Sequence, residues 1–299
     1  NDSETSLYKE ERRTFLESFH GKDSPIIYSI RGKRSVIQQT TVPQLRAFFQ
    51  RGFTPNNMRL FIAGDLPVDI EGHIEHYFHQ GEPGRVNKPD MGSKQPPTAQ
   101  YIQEIAAPEL LNANTPEKVS ASIEMLCDAP TYMEKDAVAY SLLSNILGSG
   151  LNSRLMQNIR QKRQLAYSIS SSYHQDKTYG HLGIAGRVRA MKITQALQGL
   201  FETFQELKDR PIPNKEIDQL TAKTIYNSLV SNEGNVGLLE GMQSKIDYGW
   251  TYFDYINKIR KIKPKDIQEV ANKYLPDQDG IYALLITNPL GKKNTNRVH

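Results

Sequence analysis

Two residues on either side of a helix-to-strand junction carry the chemistry that this sequence offers. In GSGLNSRLMQNIRQKRQLAYSISSSY, residues 148–173, a glycine-flanked turn leads into an amphipathic helix ending near Gln164, and Tyr167 opens the next strand. Arg160 and Tyr167 therefore flank one junction. A guanidinium and a phenol held there can donate to a single carbonyl oxygen, which is how a developing oxyanion is stabilised. The same spacing also fits an exposed helix arginine beside a strand-opening tyrosine with no chemistry attached.

Other groups are weaker as sites. His73, His76 and His79 in GHIEHYFHQ recur every three residues, with Glu75 among them, and share roughly one helix face. A structural or solvent-exposed role is preferred for them over metal binding. Glu4 and Glu11 stand seven apart in ETSLYKEE with Leu7 between, so both can face one side of a helix. An acidic solvated face is the competing reading. Gly148 and Gly150 follow no phosphate-loop pattern. His20, His174 and His181 are isolated in sequence, with no nearby Asp or Ser arrangement for a triad. The aromatic group from Trp250 to Ile259 reads as helix packing.

The elements that must position these residues follow from periodicity and breakers. Residues 4–19 read as a helix with Leu7, Phe15, Leu16 and Phe19 as its stripe. TTVPQLRAFFQRGF has a capping threonine, a first-turn proline and Leu45, Phe48 and Phe49 at helical spacing. A strand at 57–64 and a helix at about 68–78 come next. Residues 81–99 hold four prolines and three glycines with hardly an apolar residue, the clearest linker in the chain.

Beyond it, strands are predicted near 100–107 and 117–127 and helices over 132–147 and 151–163. Two consecutive strands, LAYSISSSY and YGHLGIAGRV, flank HQDKT. Helices at about 191–208, 214–231, 236–246 and 251–262 precede a further one in KPKDIQEVANKYL. The strand GIYALLIT closes the unit. Strands at both ends with helices between predict an α+β fold. Both units end in helix, proline bend and strand, which suggests an internal duplication whose first copy lacks its front half.

Composition narrows the classes. The 299 residues carry a net charge of +4, 38% hydrophobic and 23% charged residues. Lys and Arg are spread rather than gathered on one element, which gives no case for nucleic acid. The terminal GKKNTNRVH reads as a solvated basic tail. No apolar run approaches the ~18–20 residues that span a bilayer. Cys127 is the single cysteine, so there is neither a disulfide framework nor a cysteine zinc site. One thiol fits the cytoplasm, and equally a periplasmic protein that avoids mispairing, the compartment preferred here. Charged helical sequence from the first residue, with no hydrophobic signal core, is what a truncated or processed chain would show.

The run S-R-L-x-x-x-I-R-x-K-R-x-L-A-Y-S resembles the C-terminal-domain signature of pitrilysin/insulinase zinc metallopeptidases. Ser153, Arg154, Leu155, Ile159, Arg160, Leu165, Ala166 and Tyr167 carry the match. The first unit resembles the back half of that family's N-terminal domain through Gly32, Phe48, Pro55, Asn57, Met58, Gly64 and Asp65.

The resemblance implies two homologous units, each a mainly antiparallel sheet with helices on one face. Residues 1–80 would be the C-terminal half of the first, 81–99 the linker, and 100–299 a complete second domain. It implies that Arg160 and Tyr167 reach the scissile peptide of a bound peptide substrate. The family's zinc is held by a His-x-x-Glu-His helix and a distant glutamate, the motif glutamate acting on metal-bound water. This sequence has no such motif. Glu11 would be the distant ligand and Glu4 its acidic neighbour, although Thr5 replaces the family's arginine and the stretch to Gly32 is short. Zinc thus belongs to the intact enzyme rather than to this chain. The implied partner is a zinc-carrying pitrilysin-type subunit in a homodimer or heterodimer, and the rival expectation is a non-catalytic or structural subunit.

Overall fold

The structure, a computed structural model, describes residues 2–28, 30–78, 97, 99–107 and 119–291, without the side chains of residues 2–9 and 25. The predicted linker, His79, the Glu4 side chain and the basic tail lie wholly or mostly outside these residues.

Along the chain, helix α1 is Asp2–His20, α2 Arg34–Gln39, α3 Val42–Gly52 and α4 Ile70–Phe78. Strands β1 (Tyr101–Ala106) and β2 (Ser120–Asp128) precede α5 (Ala137–Gly148) and a π-helix, Met156–Lys162. The hairpin of β3 (Ala166–Gln175) and β4 (Gly180–Arg189) leads to α6 (Ile193–Asp209), α7 (Asn214–Ser231), α8 (Gly234–Tyr248), α9 (Tyr252–Ile259) and α10 (Pro264–Tyr274). Strand β5, Tyr282–Asn288, ends the pattern. Local chemistry sets several of these boundaries. The Lys263 N–H donates to Asp266 Oδ2 at 2.8 Å just before Pro264 at the start of α10. Gly249, with φ of 82°, closes α8 in the left-handed conformation.

Two compact units result. One holds Asn1–Ile27, Met91–Ala222 and Ile259–His299; the other holds Tyr28–Asp90 and Lys223–Lys258. This grouping by packing differs from the division at 80 and 99 that the sequence led us to expect.

The first unit is α+β around a mixed five-stranded sheet of order β1-β5-β2-β4-β3. Only the β1–β5 pairing is parallel. Side chains alternate across this sheet. On one face, Tyr282 of β5 meets Phe201 of α6 at 5.4 Å between ring centres. On the same side, the fully buried Tyr140 of α5 makes edge contacts with Tyr173 of β3 and Tyr274 of α10. On the opposite face, Leu126, Ala283 and Leu285 bury Phe15 and Phe19 of α1. Helices therefore lie on both faces, because α1 carries its own apolar stripe onto the side expected to be open. The β3 end of that second face remains exposed at Ser168, Ser170 and Ala185.

In the second unit, Arg59 Nη1 pairs with Asp247 Oδ1 at 2.7 Å. Helix α3 begins where the Thr41 N–H donates to Gln44 Oε1 at 2.8 Å. Its stripe of Val42, Leu45, Phe48 and Phe49 is exposed, with Phe49 stacked on the neighbouring Phe53. The strand expected at 57–64 does not form. A segment becomes a strand only when a neighbour takes up its backbone groups, and the described residues of this unit include no strand.

Candidate functional site

The helix-to-strand junction is assembled from tight turns. Gly148 ends α5 so close to β3 that a Cβ there would lie 2.1 Å from the backbone nitrogen of Ser171. Gly150, at φ of 86°, turns the chain, and the buried Ser153 hydroxyl donates to its carbonyl at 2.8 Å. Arg154 then pairs with Glu216 of α7 at 2.6 Å. Leu155 and Ile159 are fully buried and anchor the helix. Where an ordinary helix was expected, the last turns widen into the π-form, an arrangement found often at functional sites. Arg160 sits in it, exposed, and among the described residues its guanidinium makes no hydrogen bond or ion pair.

The chain leaves this helix through Gln164, whose φ of 53° lies in the left-handed region. The Leu165 N–H closes the turn on the Ile159 carbonyl at 2.9 Å. On β3, Ala166 pairs with Val188 and Ser168 with Arg187, so Tyr167 is the extra residue of a β-bulge. The bulge puts two exposed residues, Tyr167 and Ser168, between the buried Ala166 and Ile169. Tyr167 stands 44% exposed. The Arg189 guanidinium carbon lies 5.8 Å from the centre of its ring, and Arg189 Nε–H donates to the Gln164 carbonyl at 2.9 Å. Arg160 and Tyr167 thus emerge exposed on the two sides of one turn, as the spacing predicted.

Glu11 is half-buried on α1, where the Gln103 side-chain amide of β1 donates to its carboxylate. Zinc requires three or four protein ligands. Among the described residues no group of three or more His, Cys, Asp and Glu side chains is placed to hold a metal. These residues do not fit a zinc centre. His73 and His76 are exposed on α4, His76 in edge contact with Tyr77.

The structure does gather three histidines that the sequence left isolated. His174 and His181 are register partners across the β3–β4 hairpin, with rings stacked at 5.0 Å. His20 reaches them from the end of α1, 4.9 Å from the His181 ring and 6.2 Å from Tyr179. His20 Nε2 and His181 Nδ1 are buried without a hydrogen-bond partner. Burial lowers the pKa of His20 to about 4. Burial, then the charges of His20 and His174, lower that of His181 to about 3. The hairpin register could have paired His174 with His181 in advance; nothing in the sequence announces His20. The Cys127 thiol is fully buried and its pKa is pushed up by that burial, which makes it inert.

Comparison with known proteins decides the family. The profile described as "Peptidase M16 inactive domain" matches residues 39–223. The chain belongs to the M16 peptidase family. It is the pitrilysin/insulinase family of the sequence resemblance, here without the zinc motif.

Among curated M16 relatives, the chain is 23% identical over 279 residues to "Uncharacterized zinc protease YmxG" of Bacillus subtilis, covering 88% of this chain and 62% of that protein. It is 22% identical over 257 residues to "Probable inactive metalloprotease YmfF" of the same organism, covering 84% and 57%. The chain thus spans about three-fifths of the length of these relatives. A crystal structure of a peptidase M16 inactive domain from Pseudomonas fluorescens matches with a TM-score of 0.74 at 19% identity, over 98% of this chain and 72% of the other. That likeness supports the M16 fold.

Proposed function

We propose that this chain is the substrate-contacting part of an M16 zinc metalloendopeptidase that cleaves peptides or small unfolded proteins, and that it is inactive alone. Arg160 and Tyr167 donate to the carbonyl oxygen of the scissile peptide and steady the charge that develops there. The observation that carries this is the β-bulge: it turns Tyr167 outward beside the π-helix that exposes the unpaired Arg160. Bulges re-aim side chains in this way next to active sites.

Zinc is supplied from outside the described residues, by a zinc-carrying pitrilysin-type subunit in a homodimer or heterodimer. Residues 1–80 are then the back half of one pitrilysin-type domain, 81–99 its linker, and 100–299 the complete second domain. The exposed apolar stripe of α3 and the relatives' greater length support this division. An extended peptide lies between the two homologous domains, added to a sheet edge.

The test is turnover per folded molecule after mixing the chain with a zinc-carrying pitrilysin-type subunit. Losing one oxyanion donor typically costs about 2.7–4 kcal/mol, so Tyr167→Phe lowers kcat roughly a hundred- to thousandfold. Arg160→Lys keeps the charge, loses the planar fork and is also impaired. Near-wild-type turnover in both variants removes the role. One zinc held tightly by the isolated chain through dialysis would contradict the supply of metal from elsewhere.

A second reading is a non-catalytic partner or structural subunit. The likeness to the probable inactive metalloprotease YmfF and the inactive-domain match favour it. It predicts that the mixed sample gains stability but no turnover sensitive to Tyr167.

A further inference from the structure

Tyr167 is the extra residue of a bulge, at the start of an edge strand, three residues after a left-handed Gln164. We propose that Arg189 is a positioning residue for Tyr167, fixing the bulge and the direction of the phenol. This rests on the reading of Tyr167 as a contact for the substrate carbonyl.

Arg189 ties down the chain entering the bulge and also reaches the ring that the bulge carries. Its backbone N–H donates to the Leu165 carbonyl at 2.9 Å, which fixes the entrance to β3. Its Nε–H donates to the Gln164 carbonyl, also at 2.9 Å, which fixes the turn before it. Its guanidinium carbon sits 5.8 Å from the Tyr167 ring centre, within the ~6 Å reach of a cation–π contact. The ring is therefore held by the same side chain that holds the backbone carrying it.

The planar guanidinium is what allows this. One edge donates to a carbonyl while the delocalised cation faces an aromatic ring, and an ammonium point charge cannot do both from one position. The rest of the hairpin does not need the side chain, since the ladder from Ser168–Arg187 to Gln175–Gly180 is made by backbone groups. The interactions of the Arg189 side chain run through Tyr167 and the turn.

The experiment uses the full chain labelled with 3-fluorotyrosine and read by fluorine NMR, the Tyr167 line being assigned by its loss in Tyr167→Phe. In Arg189→Ala the Tyr167 line shifts, while the lines of Tyr140, Tyr173 and Tyr274, packed among α5, β3 and α10, stay in place. Arg189→Lys retains a cation and the fold but loses the fork, and shifts the same single line. An unmoved Tyr167 line in both variants overturns the proposal. So does a joint movement of all four lines, which marks a structural role.

Binding of a fluorescein-labelled unstructured peptide gives the second readout. Arg189→Ala and Tyr167→Phe weaken it by the same factor, and the double variant is no weaker. Additive losses would mean that Arg189 touches the peptide itself, and would overturn positioning. If the fluorine line shifts but Tyr167→Phe leaves binding unchanged, the substrate role of Tyr167 falls while the positioning of its ring stands.

Discussion

The carbonyl of Gln164 accepts the Arg189 Nε–H at 2.9 Å, so the turn entering β3 is tied to the last residue of β4. That tie holds a non-glycine residue at φ of 53°. A left-handed residue with a Cβ carries a cost of roughly 1–2 kcal/mol. Gln164→Gly relieves it and raises the free energy of urea unfolding by about 1 kcal/mol, whereas the β-branched Gln164→Val lowers it. A destabilised glycine variant would show that the glutamine side chain has a role of its own.

Gly148→Ala tests the approach of α5 to β3. The new Cβ would meet the Ser171 backbone nitrogen at 2.1 Å and its hydroxyl at 2.4 Å, and backbone cannot rotate aside. Overpacking of this kind costs about 1–3 kcal/mol, and the upper end is expected. Gly241→Ala, whose Cβ would find its nearest neighbour at 4.0 Å, is the control. Equal unfolding midpoints for the two variants would contradict this packing.

The histidine cluster sets an acid limit. Between the ordinary histidine value of 6.5 and the native values near 4 for His20 and 3 for His181, the unfolded chain binds protons that the native chain refuses. Stability is therefore unaffected by these groups above pH 6.5 and is lost as pH falls from 6.5 through 4 toward 3. His181→Leu flattens this slope, because it removes one refused proton. Denaturant midpoints from pH 7 to pH 4 that fall equally in both proteins would place the acid sensitivity elsewhere.

The uncovered stripe of α3 should make the chain associate. Val42, Leu45, Phe48 and Phe49 form an apolar surface of the kind that drives contact between molecules. The expected result is concentration-dependent light scattering and dye binding, both reduced by Leu45→Glu with Phe48→Glu. A strictly monomeric, dye-silent chain at high concentration would count against an incomplete first domain.

Much of the architecture is legible from local pattern. The predicted helix at 214–231 coincides with α7, and the hairpin of β3 and β4 lies where two alternating runs flank HQDKT. Arg160 and Tyr167 come to one junction because six intervening residues leave them no other choice. The strand at 57–64 had the right composition and failed, since pairing depends on a neighbour that no local pattern supplies.

What the sequence determined by itself was each element with an amphipathic period and its own caps, together with the family signature around Arg160 and Tyr167. Only the tertiary structure decided that β5 inserts between β1 and β2, that α1 buries Phe15 and Phe19 on the far face, and that three distant histidines meet. It also decided the bulge. A one-residue shift of register changes which face a side chain takes, and that shift is set by what β4 offers across the ladder. Periodicity is a property of neighbours in the chain; pairing, burial and the direction of Tyr167 belong to neighbours in space.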